Sequence, residues 1–134
     1  MKILIQKEAS SLFENYRSRF FRDRNIFPLI QSKGFCKLIL HLFSIRTNDI
    51  LVGFIFQYKS CRHKEFENAI LILPEYRGKG IALNALKNSR KNKILNKGVF
   101  QVSIKNVPAK QLFSKPFFIK IHEDAYYMTF RYLD

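Results

Sequence analysis

The chain lacks tryptophan altogether and has only two cysteines among its 134 residues. Cys36 and Cys61 stand far apart without a C-x-x-C spacing, and the three histidines add no ligand spacing. We therefore expect free thiols and no metal site. No apolar run approaches the length of a membrane span, and Gln6, Lys7 and Glu8 interrupt the apolar start that a signal peptide would need. These absences favour a cytoplasmic protein without a membrane segment.

Acidic residues are also scarce, with 10 Asp and Glu against 24 Lys and Arg, which gives a formal net charge of +14. Such an excess favours polyanionic partners: nucleic acid, the ribosome or an anionic cofactor. A solvated lysine-rich surface is the plainer explanation. The length and an apolar fraction of 47% suit one domain, residues 1–134, around one core.

Hydrophobic periodicity predicts a mixed α/β order of elements, β-α-α-β-β-β-α-β-α-β-β. The first strand is predicted at 2–6 and an amphipathic helix at 7–21. Asn25 is expected to cap a second, short helix that ends before Gly34. His41 is expected in the core, and Gly53 is expected to mark a bulge. Further strands are predicted at 35–45, 50–58, 65–73, 99–105, 117–122 and 126–132, with helices after Gly80 and at 108–113.

The stretch 73–86, LPEYRGKGIALNAL, organises the chain because it joins a buried strand to a helix through a glycine loop. Pro74 prevents the strand from continuing as a paired one. Backbone N–H groups at a helix N-terminus have no partner within the helix, and the positive end of the helix dipole lies there. The order of strand, glycine loop and helix therefore predicts an anion site, to which Arg77 and Lys79 add charge. The alternative is an ordinary glycine-rich turn with surface charges.

Two motifs in this part of the chain resemble those of the GNAT superfamily of acyl-CoA N-acyltransferases. Arg77-x-x-Gly80-x-Ala82 matches that family's pyrophosphate loop, Q/R-x-x-G-x-G/A, and Asn106 begins a stretch similar to its N-x-x-A-x-x-L-Y-x-K-x-G-F pattern. The resemblance implies a single GNAT-like domain: a mixed, mostly antiparallel central sheet of about seven strands with helices on both faces. It also implies acetyl-CoA as co-substrate, bound by Ile70, Leu71, Ile72, Arg77, Gly78, Lys79, Gly80, Ile81, Ala82, Asn106 and Phe113.

The same resemblance assigns catalytic roles. A backbone N–H near residues 70–72 would polarise the thioester carbonyl, and a glutamate on that strand would take the proton of the amine. Glu67 is the first candidate and Glu65 the second, while both also suit surface charges beside a turn. Phe113 stands where the family commonly has a tyrosine that protonates the leaving thiolate. Other proton donors would then be Ser114, Tyr126, Tyr127 or water.

Together these features predict an N-acetyltransferase that acts on a primary amine. Arginines between the first two helices suggest that the acceptor is anionic or associated with nucleic acid or the ribosome, and one or two basic residues after the glycine loop would reach the CoA 3′-phosphate. The basic residues concerned are Arg17, Arg19, Arg22, Arg24, Lys87, Arg90 and Lys91. The alternatives are a catalytically weak or inactive GNAT-like module that binds nucleic acid, and a small α/β protein with an accidental loop match.

Overall fold

The computed structural model describes residues 2–20, 30, 32, 34–59, 66–95 and 97–133 of the chain. Seven strands form one mixed sheet, as predicted, and their order in the sheet is β1-β2-β3-β4-β5-β7-β6. The strands are β1 Leu4–Glu8, β2 Ile39–Thr47, β3 Ile50–Tyr58, β4 Glu67–Ile72, β5 Val99–Ser103, β6 Phe118–Glu123 and β7 Tyr127–Tyr132. Two α-helices, α1 Ile81–Lys91 and α2 Val107–Phe113, follow β4 and β5. None of the helices in this described part of the chain is long and apolar enough to cross a membrane.

Two hydrophobic clusters sandwich the sheet. One contains the buried side of α1, with Ala85 and Leu86, packed on alternate residues of the central strands such as Ile55 and Ile72. The other is an aromatic cluster around Phe13, which lies within 5.4 Å of the rings of Phe54 and Phe56, measured between centroids. Since neighbouring strand residues point to opposite faces, the near-complete burial of β3 puts apolar side chains into both clusters. This arrangement places helices on both faces of the sheet, as expected.

The predicted α-helix at 7–21 is wrong. The first strand runs on to Glu8, because Lys7 and Glu8 continue the antiparallel pairing with Phe43 and Leu42 of β2. Two short 3-10 helices follow instead, at Ser10–Asn15 and Arg17–Phe20. Of the apolar residues that suggested helical spacing, Phe13 and Phe20 are buried and Ala9 is exposed, because tertiary contacts decide the backbone conformation over local periodicity.

The prediction for the next segment is also only partly right. Residues Phe35–Leu38 form a 3-10 helix, so β2 begins four residues later than predicted. His41 is exposed and does not lie in the core, contrary to the prediction. The pairing of β2 with β3 shifts register between Ile39 and His41, so the regular alternation of buried and exposed residues is broken at the start of β2. The second helix, predicted from Asn25, falls almost wholly outside the described residues.

Gly53 confirms the expected irregularity in β3. Its neighbour Ile45 pairs with it directly, but Arg46 pairs with Leu51, so one extra residue is accommodated in β3. A side chain at Gly53 would place Cβ 2.5 Å from the carbonyl oxygen of Leu71 in β4. Glycine is therefore required here by the close approach of two backbones.

The strands β4 and β5 are the single parallel pair in the sheet, and they separate after two paired positions. Glu67 pairs with Val99 and Asn68 pairs with Phe100, and the described residues beyond these are not paired. Strands β3 and β7 continue to bind the outer edges of β4 and β5. The sheet therefore forks between β4 and β5, on the side that leads towards the glycine loop.

Candidate functional site

A cavity of about 540 Å³ occupies this fork. One wall consists of β4 and the glycine loop, and the other consists of β5 and α2. The cavity also reaches Tyr58 and Ile30 on the aromatic side of the sheet. A fork of this kind exposes backbone hydrogen-bonding groups inside a concave, largely apolar site, which is the usual form of a small-molecule site.

The glycine loop has the conformation that its sequence predicts. Gly78 and Gly80 both have φ of 77°, in the left-handed region that favours glycine. Gly80 directly precedes α1, and a Cβ built on either glycine would meet no atom within 4 Å. Amide groups of the first turn of α1 have no partner within the helix, so the loop offers donors and free space to an anion.

The Arg77 side chain turns back from the loop towards the sheet. Its Nε donates to the carbonyl oxygen of Ile72 at 2.9 Å, so this arginine ties the loop to the end of β4. The Lys79 ammonium lies 5.7 Å from the centre of the Tyr76 ring. Of the two charged residues predicted to add charge to the anion site, Arg77 lines the cavity and Lys79 does not.

The direction of the backbone groups along β4 follows from two hydrogen bonds. Leu73 N–H donates to Val52 of β3 at 2.9 Å, whereas Phe66 accepts from Val99 of β5 at 2.9 Å. Because these directions alternate along a strand, odd-numbered residues of β4 face β3 and even-numbered residues face β5. Ile70 is the first even-numbered residue beyond the paired positions, so its N–H points into the fork.

Glu67 lies at the closed end of the fork and is only 1% exposed. The Tyr58 hydroxyl donates to its Oε2, because the register of β3 and β4 places these two residues opposite each other. Glu67 also lines the cavity, so its carboxylate is part of the site and not a surface charge. Glu65, the second candidate base, lies outside the described residues.

The second predicted motif forms the other wall. Asn106 caps α2, since its Oδ1 accepts the N–H of Ala109 at 3.2 Å. Phe113 is buried and packs against Phe118, with 4.6 Å between ring centres, and against Phe100 at 5.0 Å. Both Asn106 and Phe113 line the cavity. Every residue predicted to bind the cofactor therefore lines the cavity except Lys79.

The predicted alternative proton donors do not reach the site. Tyr126 is 72% exposed, in the turn between β6 and β7, and does not line the cavity. Its N–H and that of Tyr127 donate to the carboxylate of Asp124, and these bonds lower the pKa of Asp124. The Ser114 hydroxyl donates to the carbonyl oxygen of Gln111. None of these three residues lines the cavity.

The basic residues are only partly available to a partner. Arg17 pairs with Glu14 at 2.9 Å, and Arg19 pairs with Glu75 beside the glycine loop. Arg90 donates to the carbonyl oxygen of Leu133 at 2.7 Å. Lys87 and Lys91 are exposed on α1, while Arg22 and Arg24 lie outside the described residues. Arg17 and Arg19 therefore form ion pairs within the chain, and the side chain of Arg19 stays partly exposed.

Three polar residues of the site were missed in the sequence. The pairing of β3 and β4 places Tyr58 opposite Glu67, which no local motif reveals. Asn68 Nδ2 donates to the carbonyl oxygens of Leu95 and Lys97, so it fastens the connection after α1 at the fork. Gln101 lines the cavity from β5, and its only sequence signal was a polar residue within an alternating strand.

The fold of this chain is similar to that of solved acetyltransferases, one of which is described as a putative member of the GnaT family. The solved structures that match include a chimera of the spermidine N-acetyltransferase SpeG from Vibrio cholerae and hSSAT. It has a TM-score of 0.67 and 16% identity, covering 98% of this chain and 96% of that chain. A putative GnaT-family acetyltransferase from Bordetella pertussis has a TM-score of 0.70 and 12% identity, with 96% and 94% covered.

Another match is the PaiA N-acetyltransferase from Thermoplasma acidophilum, solved in complex with coenzyme A. Its TM-score is 0.64 at 20% identity, and 99% of this chain and 100% of that chain are covered. No protein-family model and no curated protein matches the chain. The likeness therefore shows the fold alone.

Proposed function

We propose that this protein is an acetyl-CoA-dependent N-acetyltransferase that acts on a primary amine. The observation that carries the proposal is the fork between β4 and β5, which opens a cavity between a buried carboxylate and a glycine loop at a helix N-terminus. The structural neighbours are acetyltransferases, and one of them was solved with coenzyme A. The loop suits the pyrophosphate, because its glycines leave room for close approach and its amides lack helical partners.

The chain's own groups divide the chemistry between them. The Ile70 N–H would donate to the thioester carbonyl oxygen and stabilise the negative charge that develops on it. Glu67 would take a proton from the bound ammonium, so that a neutral nitrogen attacks the carbonyl carbon. A C–N bond forms and the C–S bond breaks. Of the two protons the ammonium loses, one ends on the CoA sulfur and the other reaches solvent through Glu67.

Phe113 supplies no proton to the departing sulfur. A thiol has an unperturbed pKa of about 8.5, so a thiolate leaves readily and water suffices to protonate it. Within the described residues the hydroxyls that line the cavity belong to Tyr58, Tyr76 and Ser103. Tyr76 precedes the glycine loop directly, so it replaces the three hydroxyls predicted from the sequence as the candidate donor.

Two measurements test this function. Acetyl-CoA should raise the melting temperature, because a ligand that binds only the folded state stabilises it. Release of free thiol should then depend on an added primary amine, and Glu67→Gln should lower that rate by roughly 100-fold or more while leaving the acetyl-CoA effect on melting intact. No thermal effect of acetyl-CoA on the unmodified protein would reject the assignment. An unchanged rate in Glu67→Gln would reject Glu67 as the base.

The net charge of +14 favours a second candidate, a nucleic-acid-binding module of weak or no catalytic activity. The same charge suits an acceptor attached to nucleic acid or the ribosome. Binding to a single-stranded oligonucleotide should fall steeply as salt rises, because phosphate contacts release counterions. Lys87→Ala with Lys91→Ala should weaken it if these exposed lysines contribute. Absence of binding at low salt would remove nucleic acid from the partners.

A further inference from the structure

Gln101 lies at the first position of β5 beyond the two residues that pair with β4. Its neighbours Phe100 and Val102 belong to the cluster under α1, so the Gln101 side chain points to the opposite face of the sheet. That face also carries Tyr58 and Leu71, whose side chains belong to the aromatic cluster. The Tyr58 hydroxyl contacts Glu67. Gln101 and Glu67 are therefore on the same face of the fork, one on each strand.

The side-chain oxygen of Gln101 is buried, and no group in the described part of the chain donates a hydrogen bond to it. Burying an acceptor without a donor costs free energy, so such an atom in a cavity wall can take its donor from a bound ligand. Gln101 lines the same cavity as Glu67. Gln101 lies two residues, about 7 Å along the strand, beyond Val99, which pairs with Glu67, and the two strands separate there, so a small polar group has room between these two side chains.

We infer that Gln101 and Glu67 together form the binding site for the primary ammonium of the acceptor. An ammonium has three N–H donors, whereas both side chains present oxygen acceptors. One donor would serve the carboxylate that Tyr58 holds in place, and another would serve the Gln101 oxygen. An alcohol has a single O–H and cannot satisfy both. The site therefore selects primary amines over alcohols, an inference that rests on the proposed function and names its acceptor group.

The test uses n-butylammonium as the probe, with n-butanol as its uncharged counterpart. Binding of each is measured by ligand-observed NMR on the full chain, with and without saturating CoA. We expect n-butylammonium to bind and n-butanol not to bind. Gln101→Met keeps the size of the side chain but removes the acceptor, and it should weaken n-butylammonium binding by about tenfold. Gln101→Glu keeps an oxygen acceptor and should retain the binding.

Gln6→Met is the matched control, because Gln6 is exposed on β1, three strands away from β4. It should leave n-butylammonium binding unchanged. Equal binding of n-butanol, no n-butylammonium binding to the unmodified protein, or undiminished binding in Gln101→Met would each overturn the inference. If Gln101→Met does not fold, loss of binding in Gln101→Glu overturns it instead. CoA binding is measured separately, so a protein that binds CoA but not the ammonium refutes this inference and leaves the cofactor assignment standing.

Discussion

Gly80→Ala tests whether the glycine loop binds the pyrophosphate of acetyl-CoA, and Gly34→Ala is a control with the same backbone geometry. Gly80 has φ of 77° and Gly34, next to a 3-10 helix, has φ of 81°. A Cβ at either position meets nothing within 4 Å. The cost of each change is therefore backbone strain alone, roughly 1–2 kcal/mol for a left-handed residue other than glycine.

Both variants should consequently melt earlier by a similar amount. For a chain of this size a loss of 1–2 kcal/mol corresponds to roughly 3–10 °C. The variants should differ in their response to acetyl-CoA. A ligand at 100 times its Kd adds about 2.7 kcal/mol of stability, and Gly34→Ala should keep this gain. Gly80→Ala should lose most of it, because its methyl group takes the space through which a phosphate would approach the loop.

Differential scanning fluorimetry with and without acetyl-CoA measures both effects in one experiment. Calorimetric titration then gives the two affinities directly. An equal ligand-induced rise in the two variants would refute the assignment of the loop as the pyrophosphate site. A loss of the rise in both would show that the loss follows from reduced stability and not from the loop.

Three further predictions concern activity, packing and pH. Phe113→Tyr should leave the rate of amine-dependent thiol release similar or higher, because the ring lines the cavity; a large loss of rate with intact CoA binding would contradict this. Gly53→Ala should destabilise the protein by roughly 1–3 kcal/mol or more in urea unfolding, because its Cβ would lie 2.5 Å from the Leu71 carbonyl oxygen; a neutral effect would disprove the close approach. Burial raises the pKa of Tyr132 to about 12, although its hydroxyl shares a hydrogen bond with Ser89. The unfolded chain ionises near pH 10, so stability should fall by about 2–3 kcal/mol as pH rises from 10 to 12, and Tyr132→Phe should abolish that part of the slope.

Local sequence was sufficient wherever a conformation depends on the residues themselves. Gly78 and Gly80 adopt left-handed backbone angles that glycine tolerates best, so the loop and the start of α1 could be predicted. The apolar residues at helical spacing after Gly80 are buried as expected, among them Ala85 and Leu86. The bounds of β3 match the prediction at Ile50–Tyr58, because a nearly continuous apolar run is typical of a strand that is buried on both faces.

Periodicity failed where tertiary contacts offered a better arrangement. The apolar residues within 7–21 have helical spacing, but Lys7 and Glu8 pair with β2 as a strand. Phe13 and Phe20 lie in 3-10 helices and pack in the aromatic cluster. Tyr126, a predicted catalytic residue, is exposed in the turn between β6 and β7 and does not line the cavity. Neither outcome can be predicted from the segment alone, because it depends on partners that are distant in the chain.

The sequence by itself determined the glycine loop, the succession of strands along the chain and the residues of both motifs. Only the tertiary structure decided where β4 and β5 part, and this fork defines which groups can act together. The fork directs the Ile70 N–H inward and places Gln101 on the wall that faces β4, while the register of β3 and β4 sets Glu67 against Tyr58. The physical reason is that strand pairing is a long-range choice: a register between distant segments fixes which side chains meet, and no local pattern encodes that register.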